Sequence, residues 1–170
     1  MRARRARTTD AAAIHALIAH YVAEGLLLPR SDADIREHAS RFLVLQENDV
    51  IVGCVSLKPY GADLAEIRSL AVNPEIRGQG LGAKLVQAAL AEARRKKIAR
   101  VFAVTHAPGF FVHQGFASSS RQAVPEKIER DCNACPKKRR CRLIAVVFAV
   151  CPERVTLPLL AASASPAPAV

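Results

Sequence analysis

At 170 residues, 51% hydrophobic and 24% charged, the chain is long enough for one globular domain with an ordinary core, and no apolar run approaches the roughly 20 residues that span a bilayer. Its net charge of +10 is spread over Arg2–Arg7, Arg94–Arg100 and Lys137–Arg142 without Trp and with only two Tyr, which argues against a stacking platform for nucleic acid and leaves room for an anionic small ligand. The basic N-terminus is followed by no continuous hydrophobic region and cleavage site, so it does not read as a secretory signal, and a cytoplasmic location is expected.

The first helix is expected to start near Thr8 or Thr9, with Asp10 in its first turn, and to run through Ile14, Leu17, Ile18, Tyr21 and Val22 until Gly25 ends it. An apolar loop, Leu26-Leu27-Leu28-Pro29-Arg30, leads to Ser31. That serine caps a short helix from Asp32 to about His38, with Asp34 completing a weak capping box. Arg41–Gln46 and Val50–Leu57 are β-rich runs around the polar turn Glu47-Asn48-Asp49, which predicts a hairpin. A Pro/Gly loop then enters the strand Leu64–Val72, ended by Asn73-Pro74.

A long amphipathic helix follows, with Leu85, Ala89 and Ala93 on one stripe, Val86 and Leu90 beside it, and Lys84, Gln87 and Glu92 facing away. Arg100–Val104 is a further strand, Pro108–His113 a short helix closed by Gly115, and Arg142–Val150 a last apolar strand buried on both faces. Residues 1–151 thus form the expected domain. The Ala/Ser/Pro-rich segment 152–170 reads as a disordered tail.

Between the third strand and the long helix lies Arg77-Gly78-Gln79-Gly80-Leu81-Gly82. Alternate glycines let the backbone curl and a ligand approach its N–H groups, and a helix start adds unpaired donors and a positive dipole end, so the loop suits phosphate. Gly78, Gly80 and Gly82 do not follow the dinucleotide spacing, and Leu81-Gly82-Ala83 is not the Gly-Lys-Ser/Thr of a P-loop. Arg77-x-x-Gly80-x-Gly82, after the strand Ile67–Val72, resembles the acetyl-CoA signature of the GNAT acyltransferase superfamily. The resemblance implies an α/β (α+β) fold, a mixed central sheet flanked by helices. It also implies acetyl-CoA between splayed central strands, with pyrophosphate on the amides of residues 77–82 and pantetheine along the backbone of Leu70, Ala71 and Val72.

Leu27–Ser31, Ile51–Leu57 and Leu64–Val72 together resemble the acetyltransferase domain of N-acetylglutamate synthases, and Pro125-Glu126-Lys127 with Asp131–Pro136 resembles the short bacterial form. The implied reaction is acetylation of the α-amine of an amino acid, with L-glutamate the expected acceptor, as in the first step of arginine biosynthesis. Arg30 and Ser31 match a loop used at the amino-acid site, and an arginine can fork a carboxylate; an ordinary loop arginine is the other reading. Where the long synthases carry an Arg and a Ser after the strand corresponding to Arg100–Val104, this chain has Thr105-His106-Ala107-Pro108. Any carboxylate contact there is lost or passes to His106, which can equally be a surface residue. Other outcomes are acetylation of a peptide N-terminus or small-molecule amine, or an acyl-CoA-binding module without catalysis; a homodimer is compatible with each.

Direct attack of an amine on the thioester needs a base, a held carbonyl and a departing thiolate. Glu66 is the candidate base, directly or through a water. Arg68, two residues on along the same face, either contacts the acceptor or simply pairs with Glu66. Many relatives place a Tyr acid where this chain has Phe111, which cannot donate a proton, so the thiolate, of pKa about 8.5, leaves unaided or through water. Of five cysteines, Cys54 reads as a core residue, whereas Cys132-x-x-Cys135-x5-Cys141 has spacing for a soft ion such as zinc if a fourth ligand joins; a reduced or redox-active thiol cluster is the alternative.

Overall fold

The computed structural model describes residues 1–133, 135 and 141–152. The expected tail beyond Pro152 and the basic run Lys137–Arg140 lie outside the described residues. Strands β1 (Ala3–Arg5), β2 (Phe42–Glu47), β3 (Val50–Pro59), β4 (Leu64–Val72), β5 (Arg100–Thr105), β6 (Ala117–Ser119) and β7 (Ile144–Ala149) form one mixed sheet in the order β1-β2-β3-β4-β5-β7-β6. Helices α1 (Ala11–Ala23) and α2 (Asp32–Glu37) cover one face. Helix α3 (Leu81–Arg95) covers the other, and α4 (Pro108–Val112) follows β5.

The hairpin β2–β3 turns at Asn48 and Asp49, both at positive φ (46° and 64°), the backbone that matches the twist of its strands in a two-residue loop. Ser31 caps α2 as expected by accepting the Asp34 N–H at 3.1 Å, but the Asp34 carboxylate turns to Arg30, so only half of the capping box forms. Helix α3 buries Leu81, Leu85, Val86, Ala89, Leu90 and Ala93 against Leu43, Val55, Ile67 and Val101. Each fully buried Leu or Val contributes about 1.5–3 kcal/mol. Gly53 lets the helix sit this close: a Cβ there would lie 3.0 Å from Leu85 Cδ1 and 3.4 Å from the Ala71 carbonyl oxygen.

Three expectations are corrected. Glu92 is buried rather than outward, because the short edge strand β1, which the sequence did not announce, lays Arg5 over it at 2.9 Å while Arg95 and Lys96 bracket it. Strand β7 starts at Ile144 instead of Arg142, and β6 is an added edge partner; both faces of β7 are nonetheless covered, with Ala145 and Val146 fully buried in different clusters. The first helical turn is a tight 3-10 turn over Thr8–Asp10, in which Asp10, not a threonine, accepts the Arg7 N–H at 2.7 Å and also holds Arg4.

The feature that positions the site is where β4 and β5 part. They pair in parallel only over Leu64–Glu66 and Arg100–Phe102. Beyond Glu66 strand β4 bulges, so that Ser69, at φ +50°, and Leu70 stand opposite the single residue Val55. The two central strands therefore splay from Glu66 onward.

Candidate active site

At the carboxyl end of β4 the chain turns through Asn73–Ile76, and Asn73 Oδ1 accepts the Glu75 N–H at 3.1 Å. It then runs through Arg77 into the glycines. Gly78 and Gly80 have φ of +84° and +72°, and a Cβ at either would meet nothing within 4 Å, so these positions need glycine for backbone conformation and not for space. Gly82 is the reverse case, a helical residue whose Cβ would meet Phe110 Cζ at 3.3 Å. The Lys84 N–H bonds the Gly80 carbonyl at 3.1 Å, so the preceding amides of Leu81, Gly82 and Ala83 are left over by the helix and point out of its positive end. Residues 78–83 can hold an anion on backbone groups.

Arg77 leans back across this loop. Its guanidinium lies over the Tyr21 ring at 4.8 Å and its Nε donates to the Tyr21 hydroxyl at 3.1 Å, while that hydroxyl donates to the Val72 carbonyl at 2.6 Å. With 47% of its side chain exposed, it is tethered to α1 yet open to a ligand.

On the α1/α2 face, strand alternation brings Ser56 and Lys58 of β3 opposite Arg68 and Glu66 of β4. Beside them is a cleft of about 260 Å³ whose walls carry Arg30, Arg41, Lys58 and Arg68, with Asp34 of α2 and His38 just past its end. Arg30 donates through Nε to Asp34 at 2.6 Å and stacks on Phe42 at 5.2 Å; its terminal nitrogens make no hydrogen bond among the described residues. That bond holds the Asp34 carboxyl below the usual carboxylate range. Arg41 has no carboxylate partner among the described residues. The excess of cations makes the cleft favourable to a small anion.

Behind Arg68 and Lys58 lies a polar cluster with Glu66 at its centre. Glu66, its side chain only 4% exposed, receives Lys127 Nζ at 3.0 Å, with the Tyr60 hydroxyl oxygen 3.0 Å and Arg68 Nε 3.6 Å away. Asp131 accepts from Lys58 at 3.0 Å, Tyr60 at 2.5 Å and Lys127 at 2.6 Å. Burial alone would raise the Asp131 carboxyl, but its bonds to Lys127, Tyr60 and Lys58 prevail and hold it well below the ordinary range. Burial, then the Glu66 and Asp131 charges, push the Tyr60 hydroxyl far above its ordinary value. Counting Arg30, Arg41, Lys58, Arg68 and Lys127 against Asp34, Glu66 and Asp131, five cations face three carboxylates across cleft and cluster.

The structure brings Glu66, Arg68 and Arg30 together, but not Ser31 or His106. Ser31 spends its hydroxyl on the α2 cap, and His106 is exposed in the turn after β5, outside the cleft lining. The zinc site expected from Cys132, Cys135 and Cys141 is not formed among the described residues, where no three His, Cys, Asp or Glu groups converge as ligands. Asp131, next to Cys132 in the chain, is committed to Lys58, Tyr60 and Lys127. Burial pushes the Cys132 thiol up despite Lys127 and Arg121. Cys54 is a fully buried core thiol, pushed up to about 12, and Phe111 is a core residue packed edge-on to Phe110 and Phe116.

Sequence reasoning missed Arg41, Lys58, Tyr60, Lys127 and Asp131 as parts of the site. The one local signal was Ser56 and Lys58 alternating with the buried Val55 and Leu57, polar residues inside an otherwise apolar strand.

The model of the acetyltransferase (GNAT) family matches residues 11–116. An uncharacterized N-acetyltransferase of Chlorobaculum tepidum is 40% identical over 85% of this chain and 93% of its own length. The amino-acid acetyltransferase of Neisseria meningitidis is 35% identical over 75% of this chain but only 30% of its own length. The N-acetylglutamate synthase of Neisseria gonorrhoeae, solved with coenzyme A and N-acetyl-glutamate, superposes with a TM-score of 0.79 at 30% identity, covering 87% of this chain and 34% of that one. The chain therefore spans about a third of the length of these two Neisseria proteins.

Proposed function

Because the chain belongs to the acetyltransferase (GNAT) family, with a family match over residues 11–116, we propose that it transfers the acetyl group of acetyl-CoA to the α-amine of an amino acid, with L-glutamate the favoured acceptor. The observation that carries this reading is the cationic cleft of Arg30, Arg41, Lys58 and Arg68 beside β4, the strand whose other end leads into the anion-holding amides of residues 78–83. One strand thus joins a site fit for a polyphosphate to a site fit for a dicarboxylate. The relatives named for amino-acid acetylation, and the one solved with CoA and N-acetyl-glutamate, support the same assignment.

In this reading the pyrophosphate of acetyl-CoA rests on the amides of Gly78–Gly82, with Arg77 beside it, and the pantetheine follows Leu70, Ala71 and Val72 into the gap between β4 and β5. The acceptor's carboxylates are held by Arg30, Arg41 and Arg68. Its amine attacks the thioester carbon, forming the C–N bond, while the C–S bond breaks and the pair leaves on the CoA sulfur. The ammonium proton passes through a cleft water to Glu66, which stands at the vertex of the splay behind Arg68. Phe111 supplies no acid, so the thiolate departs and is protonated by water.

The test is release of free CoA thiol with a panel of amines: glutamate, aspartate, glutamine, other amino acids and a peptide N-terminus. Glutamate is expected to give the highest kcat/KM. A peptide or unrelated amine outpacing every amino acid would overturn the acceptor assignment, and CoA binding without any turnover would overturn the catalytic one.

A further inference from the structure

We infer that Glu66, Tyr60 and Asp131 form a proton exit, leading from the buried base through a tyrosine hydroxyl to a carboxylate that meets solvent. The inference rests on the reading of Glu66 as the base. A base that takes one proton per turnover must return it before the next, and the Glu66 side chain, 4% exposed, has little direct contact with bulk water. Asp131 does, with 24% of its side chain exposed. Between them stands the Tyr60 hydroxyl, 3.0 Å from Glu66 Oε2 and 2.5 Å from Asp131 Oδ2. Both separations are hydrogen-bond distances.

The hydroxyl has one proton and two carboxylate neighbours, which is the arrangement a relay needs. As Tyr60 passes its proton to Asp131 it takes the one Glu66 acquired from the amine, so one proton moves and the tyrosine is neutral before and after. Asp131 then gives the proton to water. Lys127 Nζ, 3.0 Å from Glu66 Oε1 and 2.6 Å from Asp131 Oδ2, keeps the two carboxylates in register with the hydroxyl between them. The Tyr60 ring is fixed against Phe102, with centroids 5.5 Å apart.

The experiment compares the parent with Tyr60→Phe, Asp131→Asn and Glu66→Gln, using acetyl-CoA and the fastest amino acid of the panel, in H2O and D2O, with and without added imidazole. The relay predicts that Tyr60→Phe and Asp131→Asn each lower kcat by about tenfold or more. KM for both substrates should stay within about twofold, the solvent isotope effect on kcat should grow, and imidazole should restore part of the rate. Phe keeps the packing on Phe102, so a merely structural Tyr60 would leave kcat and its isotope effect at parent values, or lose rate together with Tm and without imidazole rescue; either result overturns the relay. If those hold while Glu66→Gln is inactive, the relay falls and the base reading stands. Parent-like turnover by Glu66→Gln, or no turnover with any amine, overturns both.

Discussion

Tyr21 and Arg77 are locked together across the entrance to the glycine loop: the guanidinium lies 4.8 Å above the ring, its Nε donates to the hydroxyl, and the hydroxyl donates to the Val72 carbonyl. A residue of α1 thereby ties the end of β4 to the start of the anion loop, 51 and 56 positions further along the chain. Tyr21→Phe keeps the ring under Arg77 but removes both hydrogen bonds. The Tyr21–Val72 bond contributes about 1 kcal/mol, so CoA affinity should fall about fivefold if the tether preorganises the loop. Titration calorimetry with CoA measures this, and an unchanged Kd would show that the tether serves α1 alone.

Gly80 and Gly82 should respond differently to substitution. At Gly80, φ +72° makes an L side chain strained even though the space is open, and Gly80→Ala should cost about 1–2 kcal/mol of stability. Gly80→Asn, which tolerates that backbone better, should recover part of the loss. Gly82→Ala meets no backbone conflict and loses only what Phe110, 3.3 Å from the new Cβ, must concede by moving. Thermal melts ranking the variants Gly82→Ala, Gly80→Asn, Gly80→Ala from most to least stable would support this division; equal losses at both positions would refute it.

These local constraints explain why β4, the loop and α3 were legible in the sequence: a β-branched strand, a Pro stop, alternate glycines and a stripe at helical spacing all lie within one short stretch. The edge strands were not. Ala3–Arg5 is a strand only because Leu43–Leu45 offers it an edge, and Glu92 is buried only because that strand delivers Arg5. The site divides in the same way. Glu66 and Arg68 alternate along one strand and Arg30 sits in a recognisable loop, whereas Asp131 reaches Lys58 across 73 positions. His106 drew notice as a lone histidine, and nothing in a loop tells from sequence whether its side chain turns toward the cleft.

Arg41 should matter more to the acceptor than to the cofactor. It lines the cleft without a carboxylate partner among the described residues, whereas Arg30 already holds Asp34 and Lys58 holds Asp131. A second carboxylate on the acceptor would find Arg41 unspent. Arg41→Met retains much of the side-chain length and removes the charge. KM for glutamate should rise by about tenfold or more while KM for acetyl-CoA stays near its parent value. Glutamine, lacking the second charge, should lose less, so the glutamate-to-glutamine ratio of kcat/KM is the deciding quantity; a ratio unaffected by the substitution would remove Arg41 from acceptor recognition.

Acid should loosen the contacts that Asp131 makes with Lys58, Tyr60 and Lys127. Its carboxyl is depressed in the folded protein, since Lys127, Tyr60 and Lys58 outweigh the opposing effect of burial. A depressed carboxyl stabilises the fold above its ordinary value of about 4 and ceases to do so as pH falls below that, because the unfolded chain takes up the proton first. Asp10, held by Arg4, and Asp34, held by Arg30, shift in the same direction, so Tm should be level near neutrality and drop below about pH 4. Asp131→Asn removes the titrating group while leaving an acceptor for the same donors. It should melt lower than the parent at pH 7, where it lacks the carboxylate, and show a shallower decline between pH 4 and pH 2.5, where the parent loses that stabilisation because its unfolded chain takes up the proton. Melts across this range provide the measurement, and an acid limb as steep in Asp131→Asn as in the parent would mean that the fold draws no pH-dependent stability from this carboxylate.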